Sequence, residues 1–152
     1  MKSKVGFTLI EMLVVIGIIA VLAGLIMPSL GTSQMKARDA KRKSDLKQIQ
    51  KALEIFRQDQ DPVAFPTDGS FLNLATSWTS GTTVYMSTVP SDPDSTAATR
   101  VNYSYSVDSN TLTYLLCACL ENTADPEPTT CTNGILSCSC AVGKKCYGIT
   151  QP

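Results

Sequence analysis

Residues 7–30 read FTLIEMLVVIGIIAVLAGLIMPSL, an apolar run with one charge, Glu11, and no other charge appears until Lys36. A helix rises about 1.5 Å per residue, so this stretch is long enough to cross a bilayer core of roughly 30 Å. A secretory signal peptide has a shorter apolar region and ends in a small-residue cleavage site. Here the apolar run continues without a break into a charged helical pattern, which argues for an anchor. Glu11 is the discordant residue: a carboxylate among apolar neighbours near the membrane is costly, and marks a functional candidate unless it merely snorkels to water. Pro28, flanked by Gly24 and Gly31, is expected to weaken or kink the helix, because proline removes a backbone hydrogen bond and crowds the preceding turn.

Beyond residue 34 the pattern becomes amphipathic. Leu46, Ile49, Leu53 and Phe56 recur at spacings of three, four and three, one face of a helix, while Lys43, Lys47 and Lys51 form another stripe. Asp59-Gln60-Asp61-Pro62 should end the helix near residue 58. Residues 62–90 are rich in Ser, Thr, Gly and Pro and read as a long ordered loop with a short helix or strand, anchored by Trp78 and Tyr85. Val101, Tyr103, Tyr105 and Val107 then share one strand face. A turn at residues 108–111 leads to a second strand with Leu112, Tyr114, Leu116, Ala118 and Leu120 on one face. A third strand is expected near residues 145–150. The predicted class is α+β: a long N-terminal helix packed on a small antiparallel sheet, with disulfide-stapled C-terminal loops.

The formal net charge is zero, yet residues 36–57 hold eight Lys/Arg against three Asp/Glu, and residue 59 onward holds three against nine. Either both faces are simply solvated, or an acidic head packs against the basic rod of another copy. The chain contains no histidine, which excludes His-based triads, zinc sites and pH switches. No phosphate-binding glycine loop and no catalytic carboxylate pair stands out, so no catalytic residue is assigned and the protein is not expected to be an enzyme. All six cysteines, Cys117, Cys119, Cys131, Cys138, Cys140 and Cys146, lie in the last third, an even count that reads as disulfides formed outside the cytoplasm. Neighbours on one strand face cannot easily bridge each other, so the bonds should reach across segments; fifteen connectivities are open. The rival, a thiolate metal site, lacks the usual two-to-four-residue zinc gap.

The segment Lys2-Ser3-Lys4-Val5-Gly6, followed by Phe7-Thr8-Leu9-Ile10-Glu11-Met12, resembles the class III signal of type IV prepilins and type II secretion pseudopilins. The resemblance implies a leader, residues 1–6, cut off between Gly6 and Phe7 by a prepilin peptidase, with N-methylation of Phe7. It implies a hydrophobic stem over residues 7–34, transmembrane before assembly, an amphipathic continuation over residues 35–58, and a β-sheet head over residues 59–152. It implies that Glu11 pairs with the Phe7 ammonium of a neighbouring subunit and sets axial register, and it matches Pro28 to the helix-kinking proline of many pilins. Neither charge is tolerable alone in an apolar filament core, so each seeks the other. Implied partners are further copies of the chain, the peptidase, the assembly platform with its ATPase, and the membrane before assembly; no specific nucleic acid is expected. Lys and Arg after the apolar run outnumber those before it, which alone would put the C-terminal domain in the cytoplasm. The leader and the cysteines require the opposite orientation: a single-pass precursor in the cytoplasmic membrane, and an extracellular filament after assembly.

Two further readings come with the resemblance. Pro90-Ser91-Asp92-Pro93-Asp94 is similar to the Pro-Asp-Pro stretch of major pseudopilins, whose head loops can bind calcium. That makes Asp92, Asp94 and Asp108 weak calcium candidates, with a plain turn favoured and no cofactor expected otherwise. The leading expectation is a major pilin used for adhesion, motility or DNA uptake. The alternatives are a type II secretion pseudopilin and, from another class, a monomeric membrane-anchored domain that binds metal or exchanges thiols.

Overall fold

The computed structural model describes residues 6–67, 69–73, 76–94, 103–110 and 112–151, without the side chains of residues 26–30, 70, 73 and 139. The leader residues before Gly6, the side chain of Pro28, and Val101 therefore lie outside the described residues. The chain divides into two compact units, Met1–Gln34 and Met35–Pro152. A single helix, α1 (Leu9–Asp59), contributes to both. It is assigned as helix through residue 28 and ends one residue beyond the expected limit.

In the first unit α1 is bare: Leu9, Ile10, Leu13, Ile16, Ile18, Ile19, Val21 and Leu25 are all exposed. Among the described residues no helix is long and apolar enough to cross a membrane. This bare apolar stretch is described as far as Leu25, beyond which the side chains of residues 26–30 lie outside the described ones.

In the second unit the remainder of α1 presents Leu46, Ile49, Ala52 and Leu53 to the core, each essentially buried. They meet Phe65, Phe71, Leu72, Trp78, Val89, Tyr103, Tyr114, Leu116, Ala118 and Ile149. Phe56 stacks on Trp78 at 5.4 Å between ring centres, and Phe71 stacks on the same indole at 4.4 Å. The Ser/Thr/Gly-rich segment is more regular than its composition implied. It holds a 3-10 turn (Ser70–Asn73) and a hairpin of β1 (Trp78–Ser80) and β2 (Thr83–Met86). Aromatic packing of Trp78 and Tyr85 against Phe56 outweighs the weak strand propensity of the residues around them.

The main sheet is antiparallel in the order β3 (Ser104–Asp108), β4 (Thr113–Leu120), β7 (Lys145–Thr150). Strand side chains alternate between faces, so β4 serves two cores. Tyr114, Leu116 and Ala118 point into the helix-side core, whereas Leu115 and Cys117 point into a second cluster with Cys131, Leu136 and Cys146. That second face is covered by a hairpin of β5 (Thr130–Asn133) and β6 (Leu136–Ser139). Its tight turn follows Asn133 with Gly134 at φ +61°, backbone that side-chain-bearing residues adopt only at a cost. The Asn133 side chain donates to the Tyr114 carbonyl at 3.1 Å, tying the hairpin to β4.

Candidate assembly site and the ionic and disulfide locks of the head

Thr8 and Glu11 open α1 as a reciprocal pair. The Thr8 amide and hydroxyl both donate to Glu11 Oε2 at 2.7 Å, and the Glu11 amide donates back to Thr8 Oγ1 at 3.3 Å. This is a capping box, which satisfies amide groups that the first helical turn leaves without intrahelical partners. Its signal, Thr followed three residues later by Glu ahead of an apolar run, stands in the sequence, where Thr8 otherwise reads only as part of the leader motif. Glu11 is solvent-exposed, and Phe7 beside it is 79% exposed. The backbone thus holds the carboxylate beside the position where cutting the Gly6–Phe7 bond would create an ammonium.

In the second unit three basic residues of α1, Arg38, Arg42 and Lys43, are paired within the chain. Arg42 is 2% exposed and lies one turn before Leu46 on the buried helix face. It donates to both oxygens of Asp92 at 2.7 Å and to Asp39 at 2.7 Å, and it contacts Glu121 at 2.6 Å. Asp39 in turn accepts the backbone amides of Glu121 and Asn122 at 2.9 and 2.8 Å. Arg38 forks onto both oxygens of Glu121. Lys43 reaches Asp125 and Glu127 at 3.2 and 3.4 Å and lies over the Tyr147 ring. Buried Tyr103 donates to buried Asp45 at 2.7 Å. Acidic head and basic helix therefore meet inside one copy for these residues, where the charge asymmetry had left open either two solvated faces or packing between copies. The sequence signal was Arg42 itself, a charge on the apolar stripe four residues before Leu46.

The ionic states follow from that geometry. Burial alone would lower Arg42, but hydrogen bonds to Asp92, Glu121 and Asp39 outweigh it and hold the guanidinium above its ordinary value. Hydrogen bonding from Arg38, aided by Arg42, holds Glu121 down at about 2 against the opposing effect of burial. Burial pushes the Tyr103 phenol upward, and Asp45 adds to the shift.

The calcium candidates are not brought together. Asp92 is consumed by Arg42 and caps the Asp94 amide at 2.9 Å, while Asp108 caps the Asn110 amide at 2.9 Å. The Arg42 guanidinium already supplies positive charge to Asp92, and Asp-Pro here opens a turn. Among the described residues the one grouping of three or more candidate metal ligands is Cys117, Cys131, Cys138 and Cys146. All four are in disulfides, which removes the thiolates a metal would need.

The bonds are Cys117–Cys138, Cys119–Cys140 and Cys131–Cys146. Each joins the sheet to the hairpin or to the segment just after it. Gly148 explains why the hairpin can come so close: a Cβ there would lie 2.8 Å from Cys131 Cβ and 2.9 Å from its Sγ. Only a residue without a side chain leaves room for Cys131 to reach Cys146.

Comparison with known proteins adds three observations. Residues 1–27 match the model of the prokaryotic N-terminal methylation motif. The chain is similar to the type II secretion system core protein G of Escherichia coli K12, 44% identical over 54 residues, 36% of this chain and 37% of that one. It is also similar to the proteins of that name from Klebsiella pneumoniae, 40% over 67 residues (44% and 46%), and Aeromonas hydrophila, 36% over 66 residues (43% and 45%). The chain spans less than half the length of these curated relatives. No solved structure matches it. The motif and the relatives support a place for this chain in the type IV pilin/pseudopilin family, with the α+β fold expected of it. Within that family these relatives are type II secretion pseudopilins, which favours the pseudopilin alternative over the major-pilin expectation.

Proposed function

We infer that the chain is a pseudopilin-like structural subunit, without catalytic residues of its own. It is made as a membrane-inserted precursor, cut between Gly6 and Phe7, methylated at Phe7, and assembled with further copies by a secretion-type platform and ATPase. The observation that carries this reading is the placement of Glu11: a carboxylate in the first turn of a bare apolar helix, inside a methylation motif. Before assembly the capping box gives that carboxylate local donors. After cleavage an ammonium arises one residue from Thr8, and transfer of Glu11 to the ammonium of a neighbouring subunit fixes register as the apolar helices bury one another. The amphipathic half of α1 and the sheet keep the head folded at the filament surface.

The test is the intact mass of the subunit in assembled filaments, compared with a Glu11→Ala variant. A chain beginning at methylated Phe7 is expected in both membrane and filament fractions of the wild type. Glu11→Ala should be cut normally yet fail to enter filaments. Thr8→Val, which removes the hydroxyl but leaves the carboxylate, should be cut and should still assemble. Filaments of uncut chain, or normal assembly of Glu11→Ala, would overturn the proposal. Deletion of the gene separates the two filament systems: loss of enzyme secretion marks a pseudopilin, and loss of surface fibres with secretion intact marks a pilin.

A further inference from the structure

The face of the sheet turned away from α1 gathers sulphur from four strands: Cys117 on β4, Cys131 on β5, Cys138 on β6 and Cys146 on β7. The four sulphurs lie within 4.8 Å of one another, and Cys138 Sγ is 3.5 Å from Cys146 Sγ, although these two are not bonded. Cys119–Cys140 stands outside the group. Cys138 is half-buried, whereas Cys117 and Cys146 are buried. A cavity of about 370 Å³ borders the cluster, lined in part by Thr130, Cys131, Thr132, Cys146 and Gly148. Cys138 is therefore the least buried residue of the four, and Cys131 borders the cavity.

Disulfides exchange when a thiolate attacks a bonded sulphur and expels its partner, and proximity decides which sulphur is attacked. We propose that Cys117, Cys131, Cys138 and Cys146 form a single thiol–disulfide exchange site, through which a dithiol that reduces Cys117–Cys138 leaves Cys138 bonded to Cys146 and Cys131 as a free thiol in the cavity. The dithiol attacks Cys138 Sγ, the bond to Cys117 breaks, and Cys117 departs as a thiolate that takes up a proton. The second thiol of the reagent attacks its own sulphur in the mixed disulfide, so the reagent leaves oxidised and Cys138 becomes a thiolate. That thiolate attacks Cys146 Sγ, the Cys131–Cys146 bond breaks, and Cys131 departs and is protonated. Two electrons have entered, one disulfide has been lost, and the reactive thiol has moved from β6 to β5. The site is thus an entry point for a dithiol oxidoreductase or a small dithiol, and Cys131 is the position that a later thiol modification would reach. This inference does not rest on the filament reading.

The experiment uses the full chain, oxidised and held in detergent micelles. It is treated with dithiothreitol below one equivalent, quenched in acid and alkylated with N-ethylmaleimide. Chymotrypsin and trypsin together cut between the four cysteines, at Leu120, Leu136 and the Lys144–Lys145 pair, and fragmentation assigns the bonds. The expected product carries label on Cys117 and Cys131 and a new Cys138–Cys146 link. Label on Cys117 and Cys138 at every time point, with Cys131–Cys146 retained, would overturn the proposal. The same enrichment of Cys138–Cys146 in concentrated guanidinium would also overturn it, because the fold would then not be directing the exchange. A Cys117→Ser chain needs no reductant: its single free thiol is expected at Cys131 in most molecules, and a thiol that stays on Cys138 would count against the exchange.

Discussion

Replacing Arg42 by methionine tests whether the ionic cluster holds the head to α1. Methionine approximates the length of the side chain but removes the one cation that touches Asp39, Asp92 and Glu121 together. Asp39 and Asp92 are each about 5% exposed at the side chain, so water does not take its place. Breaking a buried ion pair by removing one partner costs about 3–5 kcal/mol, because the charge left behind is uncompensated. Against a typical domain stability of about 5–15 kcal/mol, that is roughly a fifth or more of the whole. Trp78, the single tryptophan, is 5% exposed and stacked between Phe56 and Phe71, so its fluorescence reports the helix-side core directly. Urea unfolding followed by that signal should show a deficit of about 3–5 kcal/mol at pH 7 with a nearly unchanged dependence on denaturant. A deficit below about 1 kcal/mol at pH 7 would show that the cluster is not holding the head.

Two more outcomes follow from residues of the head. Glu121 has a folded-state pKa of about 2 against an ordinary 4.5, so its contribution is complete above pH 4.5 and lost as the pH falls from there through 2. After allowance for screening this is worth roughly 1–2 kcal/mol; a melting-temperature profile should fall more steeply between pH 5 and pH 2 for the wild type than for Glu121→Gln, and parallel profiles would contradict it. Gly148→Ala places a Cβ within 3 Å of Cys131, so either the sheet moves or the bond to Cys146 fails to close. A loss of about 1–3 kcal/mol, with maleimide-reactive Cys131 and Cys146 in part of the sample, is the expected result, and full oxidation at wild-type stability would contradict it.

Periodicity carried most of the architecture. The 46-49-53-56 stripe, the alternation around Tyr114 and the strand at residues 145–150 were legible because each reports which neighbours a side chain must meet, and those rules are local. The hairpin at Trp78 and Tyr85 was not separable from loop, since its stability comes from rings far along the chain. Disulfide partners were likewise open: strand period fixes a face, whereas pairing depends on how β6 lies over β4. Arg42 shows the opposite case, in which a local sign was present and charge alone suggested solvent. Its carboxylate partners Asp92 and Glu121 lie 50 and 79 positions further on, a distance that no spacing rule spans. At the N-terminus the Glu11 carboxylate was legible as a functional candidate, and its local partner Thr8 stands three residues before it in a capping-box pattern.

The three crosslinks have a consequence for the order of events in the cell. They gather the thirty residues from Cys117 to Cys146 into interlocked loops. A polypeptide so tied is no longer a thread, and a channel gauged for a single extended strand will not admit it. Sulphur oxidation therefore acts as a ratchet: once the bonds close, the head can no longer be drawn out as a single strand.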